Sequence, residues 1–206
     1  MVRNDIPFAI ALPAVACYKA SFWLSLLPMG TSNVLITEVE QLSLNDIKGL
    51  DFSFEITAEL MEPYENPFQD IKPVNPYWKT YHFDARQFRK SKDQNLLIAV
   101  AKQHDRLCGY ILVRKSWNNY ALINDFAVDQ TMRRYGVGRQ LMDKAVEWAK
   151  ARQLPGIWLE TQSNNVAACQ FYKNYGFILG GFDKCLYSAI KASSEETALF
   201  WYLIFK

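Results

Sequence analysis

Histidine, paired cysteines and net charge are all scarce in this chain of 206 residues. The two histidines, His82 and His104, have no partner at metal-ligand spacing, so we expect no metal site. The four cysteines are widely spaced and form no C-x-x-C pair, which favours free thiols in a reducing compartment over a disulfide framework. The formal net charge of +2 is too small to indicate a nucleic-acid-binding protein.

Long hydrophobic runs are also lacking. The apolar stretch from Ile6 to Leu27 is interrupted by Pro13 and Lys19, well short of the roughly 20 residues that a membrane span needs. We interpret residues 1–32 as an N-terminal extension, either disordered or read from an upstream start codon, with an export signal as the alternative. The sequence therefore predicts a cytoplasmic protein without a membrane partner, whose folded domain spans residues 33–206.

Hydrophobic residues are plentiful, and acidic residues are concentrated in one segment. Half of the residues are hydrophobic and 15% are aromatic, as in a globular domain with a sizeable core. Nine carboxylates fall within residues 38–70, where Lys48 is the one basic residue. A carboxylate-rich cleft would concentrate cations, so this segment favours a cationic partner. The proline-punctuated, aromatic stretch 63–81 is predicted to be a loop, either a functional lid or a solvated surface.

The hydrophobic patterns predict strands first and strand–helix units afterwards. Strands are predicted at residues 34–40, 52–56, 96–101, 107–115, 120–128, 157–160, 177–187 and 197–205, and helices at about 137–151 and 166–175. This order indicates a mixed α/β fold in which antiparallel strands precede parallel crossovers.

The stretch Ala121–Lys150 reads as a strand, a basic turn and an amphipathic helix. Gly136 and Gly138 would let a pyrophosphate approach the backbone, and the first turn of a helix offers unpaired N–H groups to a phosphate. Arg133, Arg134 and Arg139 would add full positive charges at this site.

Two motifs in the chain resemble those of the GNAT acetyltransferase superfamily. The spacing Arg133-x-x-Gly136-x-Gly138 is similar to its acetyl-coenzyme A signature, and a second motif follows on the later helix. The residues of that second motif are Asn165, Ala168, Tyr172, Gly176 and Phe177. The resemblance implies the GNAT fold, a central and mostly antiparallel sheet flanked by helices and splayed at the acetyl-CoA site.

The resemblance also implies which residues bind acetyl-CoA as co-substrate. They are Phe126, Ala127, Val128, Arg133, Arg134, Tyr135, Gly136, Val137, Gly138, Arg139, Asn165, Ala168 and Tyr172. The main-chain N–H near Val128 would polarise the thioester carbonyl, and the Tyr172 hydroxyl would protonate the departing thiolate.

Carboxylates near strand ends are the candidates for handling the amine. We assign Glu160 as the general base, and Asp125 and Asp183 as anchors for an ammonium group. Each could equally anchor the substrate or accept a structural hydrogen bond. Glu160 and Trp117 complete the predicted substrate-binding residues.

The C-terminal half looks like that of the streptothricin acetyltransferases, an antibiotic-resistance branch of the GNAT enzymes. The matching positions are Ser116–Asn118, Asp125, Gly136–Gly138, Leu159–Thr161, Gly181–Asp183 with Tyr187, and Glu196–Leu199. The resemblance implies acetylation of a β-lysine amino group of streptothricin by direct amine attack in a ternary complex. The alternatives are a GNAT enzyme acting on an aminoglycoside or a protein N-terminus, and a non-catalytic acyl-CoA-binding module. A homodimer is one assembly that the sequence allows.

Overall fold

The computed structural model describes residues 34–90, 95–188 and 196–206. The predicted N-terminal extension, residues 1–32, lies outside the described residues. Within the described ranges the chain forms nine strands and two α-helices. They are β1 Val34–Glu38, β2 Phe54–Leu60, β3 Ile71–Lys79, β4 Leu96–Gln103, β5 Arg106–Lys115, β6 Ala121–Val128, α1 Val137–Ala151, β7 Gly156–Gln162, α2 Val166–Tyr175, β8 Ile178–Asp183 and β9 Ala198–Ile204.

Seven of these strands form one twisted sheet in the order β1-β4-β5-β6-β7-β9-β8. Every neighbouring pair is antiparallel except β6 and β7, which run parallel across the α1 crossover. The predicted mixed α/β architecture, with its antiparallel meander from β4 to β6, is therefore confirmed. Strand β9 lies between β7 and β8 and pairs with both, so β8, although it follows β7 in the chain, forms the edge of the sheet.

The helices pack on one face of this sheet, called the first face below. Helix α1 buries Val137, Leu141, Ala145, Trp148 and Ala149, the positions that its helical periodicity predicts. On the sheet, alternate residues such as Ile111, Ile123 and Leu159 belong to the same core. The other set of alternate residues defines the second face, where Tyr110 and Leu112 pack against Leu42, Phe83 and Phe88.

Helix α2 has both of its predicted caps. The side chain of Asn165 accepts a hydrogen bond from the N–H of Ala168 (3.2 Å), which satisfies a donor of the first turn. Gly176 ends the helix in the left-handed conformation with φ 116°, and its N–H donates to the carbonyls of Tyr172 and Lys173. These caps fix both ends of α2, the helix that carries Tyr172.

The largest difference from the sequence prediction is a β-hairpin within the predicted aromatic loop. Strands β2 and β3 form a separate two-stranded sheet, with Phe54 opposite Lys79 and Leu60 opposite Ile71. The prolines Pro73 and Pro76 argue against a strand because they cannot donate to a ladder. The hairpin tolerates them because β3 has a strand on one side only and its register shifts between Ile56 and Ala58. The predicted strand 177–187 is also shorter and ends at Asp183.

The acidic segment does not form one carboxylate-rich cleft. Glu38 pairs with Lys144 (3.2 Å) at α1, whereas Glu62 pairs with Lys184 (2.6 Å) beyond β8. Glu59 accepts a hydrogen bond from the hydroxyl of Ser163 (2.7 Å). Because the carboxylates are spread over distant elements and several have local partners, the acidic composition alone does not locate a cation-binding surface in this segment.

The described part of the chain contains neither a candidate membrane-spanning helix nor a candidate metal site. Within residues 34–90, 95–188 and 196–206, no helix combines the length and the apolar character that a membrane crossing requires. The same residues contain no group of three or more His, Cys, Asp or Glu side chains placed to hold a metal ion.

Candidate active site

The turn between β6 and α1 forms a backbone cradle. After Val128 the chain makes a single 3₁₀ turn, Gln130–Met132, and α1 begins at Val137. Gly136 precedes the helix with φ 81° and ψ 0°, a left-handed conformation that glycine adopts without a Cβ penalty. Gly136 has no side chain with which to cap α1, so the positive end of the helix is offered to an anion from outside.

Asp129 fixes the start of this cradle. Its buried carboxylate accepts hydrogen bonds from the N–H of Asp51 (2.9 Å), the N–H of Thr131 (3.0 Å) and the hydroxyl of Thr131. Burial alone would raise the pKa of Asp129, but these hydrogen bonds outweigh burial and hold the pKa below its ordinary value of 3.8. The N–H of Gln130 also donates to the carbonyl of Asp51 (2.7 Å), which ties the turn to the segment preceding β2.

The arginines of the cradle differ in how firmly they are held. The Nε of Arg133 donates to the carbonyl of Val128 (3.1 Å), so this guanidinium lies against the end of β6. Arg139 stacks over the ring of Tyr175 at 5.3 Å. Arg134 is exposed and has a positive φ of 68°. The structure therefore places all three predicted cations around one turn.

The cradle fits the pyrophosphate group of acetyl-CoA. Among the described residues, apart from the chain neighbours of Gly136, no heavy atom lies within 4 Å of where its Cβ would be, so the backbone there is open to a ligand. At Gly138 a Cβ would lie 3.3 Å from Cζ of Phe126 and 3.6 Å from Cε2 of Phe171, so aromatic rings close the other side. Phe126, Val137 and Gly138, all predicted to contact the co-substrate, thus lie together.

Strands β6 and β7 diverge beside this cradle. Their parallel pairing is limited to Ala121 with Ile157 and Leu122 with Trp158, whereas β7 pairs with β9 along its whole length. The N–H of Asp129 donates to the carbonyl of Cys108 on β5 (2.9 Å). Because backbone groups alternate between the two edges of a strand, the N–H of Val128 points to the opposite edge, into the gap left by β7.

A β-bulge in β6 places Asp125 on the second face. Ile123 lies opposite Val113 and Asp125 lies opposite Leu112, so Asn124 is an extra residue in the ladder. Without it, Asp125 would point to the first face together with Ile123. Burial raises the pKa of Asp125 to about 6, against the lowering effect of hydrogen bonds from the Phe126 N–H and the Tyr110 hydroxyl (3.5 Å).

Glu160 lies on the second face of β7, across the gap from Asp125. It shares that face with Trp158 and Gln162. The alternate residues 157, 159 and 161 are buried and point to the first face. The hydroxyl of Tyr187 donates to its Oε1. Desolvation by the surrounding protein raises the pKa of Glu160 although the residue keeps solvent access, and the charge of Lys79 opposes this rise.

Asp183 is the third carboxylate on this face. It lies opposite Ala198 on β9, which in turn lies opposite Gln162 on β7. Its Oδ1 accepts a hydrogen bond from the N–H of Cys185 (2.7 Å). The structure thus brings the three predicted amine-handling carboxylates onto one face, with one oxygen of Asp183 already engaged.

Tyr172 reaches the same region from the helix side. Tyr172 is 8% exposed. The centroid of its ring lies 5.7 Å from that of Phe177 and 6.4 Å from that of Trp201. Burial raises its pKa, and the nearby charges of Asp125 and Glu160 raise it further. Its hydroxyl therefore stays protonated at neutral pH, as a proton donor must.

A polar network that sequence reasoning missed attaches the β2–β3 hairpin to this site. Lys79 forms an ion pair with Glu196 (2.8 Å), and the Nδ2 of Asn164 donates to the same carboxylate (3.0 Å). The Tyr81 hydroxyl donates to Gln162 and accepts from the Nδ2 of Asn165 (3.4 Å). The aromatic residues of the predicted loop indicated that this segment packs against the rest of the domain. The sequence did not reveal that its partners lie between β7 and α2.

Trp117 is not brought to the other predicted residues. It lies in the turn between β5 and β6 and is 90% exposed. This turn precedes Ala121, whereas the cradle follows Val128, so Trp117 lies at the opposite end of β6. Tyr135 is also exposed, but it belongs to the cradle turn itself.

The chain is similar in sequence to known acetyltransferases. The model of the acetyltransferase (GNAT) family matches residues 55–177, which include the cradle, the strand gap and α2. Streptothricin acetyltransferase A of Bacillus subtilis (strain 168) is 33% identical over 174 residues, covering 83% of this chain and 100% of that relative. Streptothricin acetyltransferase of Escherichia coli is 40% identical over 131 residues, covering 64% of this chain and 72% of the relative.

A solved structure gives the same result in three dimensions. A protein of Bacillus anthracis str. Ames, assigned as a streptothricin acetyltransferase, was crystallised in complex with acetyl coenzyme A. Its structure superposes with a TM-score of 0.75 at 39% identity, over 84% of this chain and 99% of the other.

Proposed function

Because the chain belongs to the GNAT acetyltransferase family and is an acetyl-CoA-dependent N-acetyltransferase, we propose that it acetylates an amino group of streptothricin-type antibiotics and so confers resistance. We assign the activity to residues 33–206 and the acceptor amine to the β-lysine moiety. The observation that carries the proposal is the match along the full length of a streptothricin acetyltransferase at 33% identity. Three carboxylates on the second face beside the strand gap fit a cationic acceptor.

In this proposal the cradle holds the co-substrate, which supplies the acetyl group when bound. The first N–H groups of α1 and Arg133, Arg134 and Arg139 bind its phosphates, and the exposed Tyr135 flanks them. The N–H of Val128 is directed into the gap and polarises the thioester carbonyl. Ala127 and Ala168 contribute small side chains, so they leave room along β6 and α2.

The second face orients the amine. Asp125 anchors an ammonium group of the antibiotic, and Asp183 offers it the oxygen that Cys185 does not occupy. Glu160 takes the proton from the reacting amine, because a carboxylate with a raised pKa is a stronger base than an ordinary one. The charge of the neighbouring Lys79 opposes this rise in pKa and favours the ionised form that acts as the base.

The transfer itself needs no protein nucleophile. The neutral amine attacks the acetyl carbon, the new carbon–nitrogen bond forms and the carbon–sulfur bond breaks. Glu160 takes the one proton that the nitrogen loses as it becomes an amide, and Tyr172 gives its hydroxyl proton to the departing sulfur. Loss of the Glu160 proton and return of a proton to the Tyr172 phenolate, both through solvent, restore the site. Asn165 keeps α2, and with it Tyr172, in place by capping the helix.

The decisive experiment incubates purified protein with acetyl-CoA and streptothricin, and follows free thiol release. We expect release that depends on streptothricin, with the added acetyl group located on the β-lysine moiety by fragmentation mass spectrometry. Glu160→Gln, which keeps the size and hydrogen-bonding capacity of the side chain, is the matched control and should be nearly inactive. Thiol release only with aminoglycosides or peptides would overturn the substrate assignment, and acetyl-CoA binding without turnover of any amine would indicate a binding module instead.

A further inference from the structure

The turn after β8 is exposed except for one buried side chain, that of Tyr187. Lys184, Cys185, Leu186 and Ser188 are all exposed, but Tyr187 is 8% exposed. A large side chain is therefore drawn inward from a surface turn. Its hydroxyl meets the Oε1 of Glu160.

The geometry of this turn depends on Asp183. Its Oδ1 accepts the hydrogen bond from the Cys185 N–H (2.7 Å), an Asx turn that bends the chain directly after β8. The carbonyl of Cys185 then accepts from the N–H (3.1 Å) and the hydroxyl (2.7 Å) of Ser188. Together these bonds hold the turn closed on both sides of Tyr187.

We propose that Tyr187 is a positioning residue for Glu160, and that the Asx turn made by Asp183 holds Tyr187 in place. The proposal rests on the proposed role of Glu160 as the base. Tyr187 fixes one carboxylate oxygen, and within the described residues no hydrogen bond reaches the other, Oε2. That oxygen is therefore the one presented to the amine.

A hydrogen bond donated to the ionised carboxylate also sets its proton affinity. Desolvation raises the pKa of Glu160 and the charge of Lys79 opposes the rise. A donor favours the charged form, so we expect the hydrogen bond from Tyr187 to oppose the rise as well. Removing the hydroxyl should raise that pKa by about one, since a hydrogen bond to a charged group shifts the ionisation equilibrium roughly tenfold.

The first test compares wild type with Tyr187→Phe in the full-length protein. The pKa of Glu160 is read from the ¹³C signal of its carboxylate, assigned by its disappearance in Glu160→Gln. We expect the pKa to rise by about one, the acid limb of the kcat/KM profile to move by the same amount, and kcat to fall about tenfold or more. Tyr64→Phe is the matched control, because it removes a buried hydroxyl that donates to a main-chain carbonyl, that of Leu60 (3.4 Å).

The second test separates the turn from the charge of Asp183. Asp183→Asn keeps an oxygen for the Cys185 N–H, so the pKa of Glu160 should stay at its wild-type value. Asp183→Ala removes that oxygen and should raise the pKa as Tyr187→Phe does. Both variants remove the negative charge of Asp183, so an increase in KM that they share would reflect the loss of that charge and not the loss of the turn.

An unchanged Glu160 signal in Tyr187→Phe overturns the proposal, and so does a shifted signal with an unchanged pH profile. Equal effects of Asp183→Asn and Asp183→Ala on that signal overturn the part assigned to the turn. The carboxylate signal is read without substrate. A failure of the streptothricin assignment therefore leaves it intact, and the two failures are distinguishable.

Discussion

The clearest quantitative consequence of the site is that Asp125→Asn should stabilise the folded protein at neutral pH. The pKa of Asp125 is about 6 in the folded state, against an ordinary value of 3.8. Between these values the folded state binds more protons than the unfolded state, so the free energy of unfolding falls as pH rises. At about 1.4 kcal/mol for each pKa unit, ionising Asp125 costs the folded protein about 3 kcal/mol at pH 7.

Asparagine has nearly the shape of the protonated aspartic acid and can still accept the hydrogen bond of Tyr110. The variant therefore avoids the cost of ionisation, and about 3 kcal/mol is the upper limit of its gain. For a domain of this size the gain corresponds to a rise in Tm of roughly 2–4 °C per kcal/mol. The gain should be complete above about pH 7 and should vanish as pH falls towards 3.8.

The measurement is urea-induced unfolding of wild type and variant at several pH values from 4 to 7.5. Asp129→Asn is the matched control of opposite sign, because hydrogen bonds hold the pKa of Asp129 below 3.8. Its ionisation stabilises the folded state above that pH, so the control should be less stable than wild type, and the difference should stay nearly constant from pH 7.5 to 4 because it is lost only below pH 3.8. A stability difference for Asp125→Asn that is absent, or constant with pH, would refute the reasoning.

Three further variants test separate parts of the site. Tyr172→Phe should lower kcat about a hundredfold with little change in the Kd of acetyl-CoA measured by calorimetry; wild-type turnover would exclude Tyr172 as the proton donor. Gly136→Val should raise that Kd at least about tenfold, because a branched side chain at φ 81° is strained and fills the open approach; unchanged affinity would contradict the cradle. Lys79→Met should reduce the free energy of unfolding by about 1–2 kcal/mol and speed proteolysis of the hairpin, and equal stability would show that the ion pair with Glu196 is unimportant.

Local signals explain why some elements could be predicted with nearly correct bounds. The β6–turn–α1 unit combines a strand pattern, a glycine at the left-handed position 136 and a helical period, all within about thirty residues. Helix α2 carries its own caps in Asn165 and Gly176. In both cases the information that fixes the structure lies in neighbouring residues, so the chemistry of the cradle was also readable from them.

The remaining features depend on residues far apart in the chain. Pro73 and Pro76 argued against β3, and only its pairing with β2 makes that strand. The Asn124 bulge, which turns Asp125 to the second face, follows from register against β5 rather than from any local motif. The acidic segment was interpreted by composition, yet partners such as Lys144 and Lys184 decide what its carboxylates do.

The gap between β6 and β7 also has a consequence for amide hydrogen exchange. Amides of a central strand normally exchange slowly, since neighbours on both sides must separate first. The N–H of Val128 is central in the order of the sheet but chemically resembles an amide of an edge strand. Its exchange should be fast in the free protein and slow once a ligand occupies the gap, so this single amide reports occupancy without any turnover.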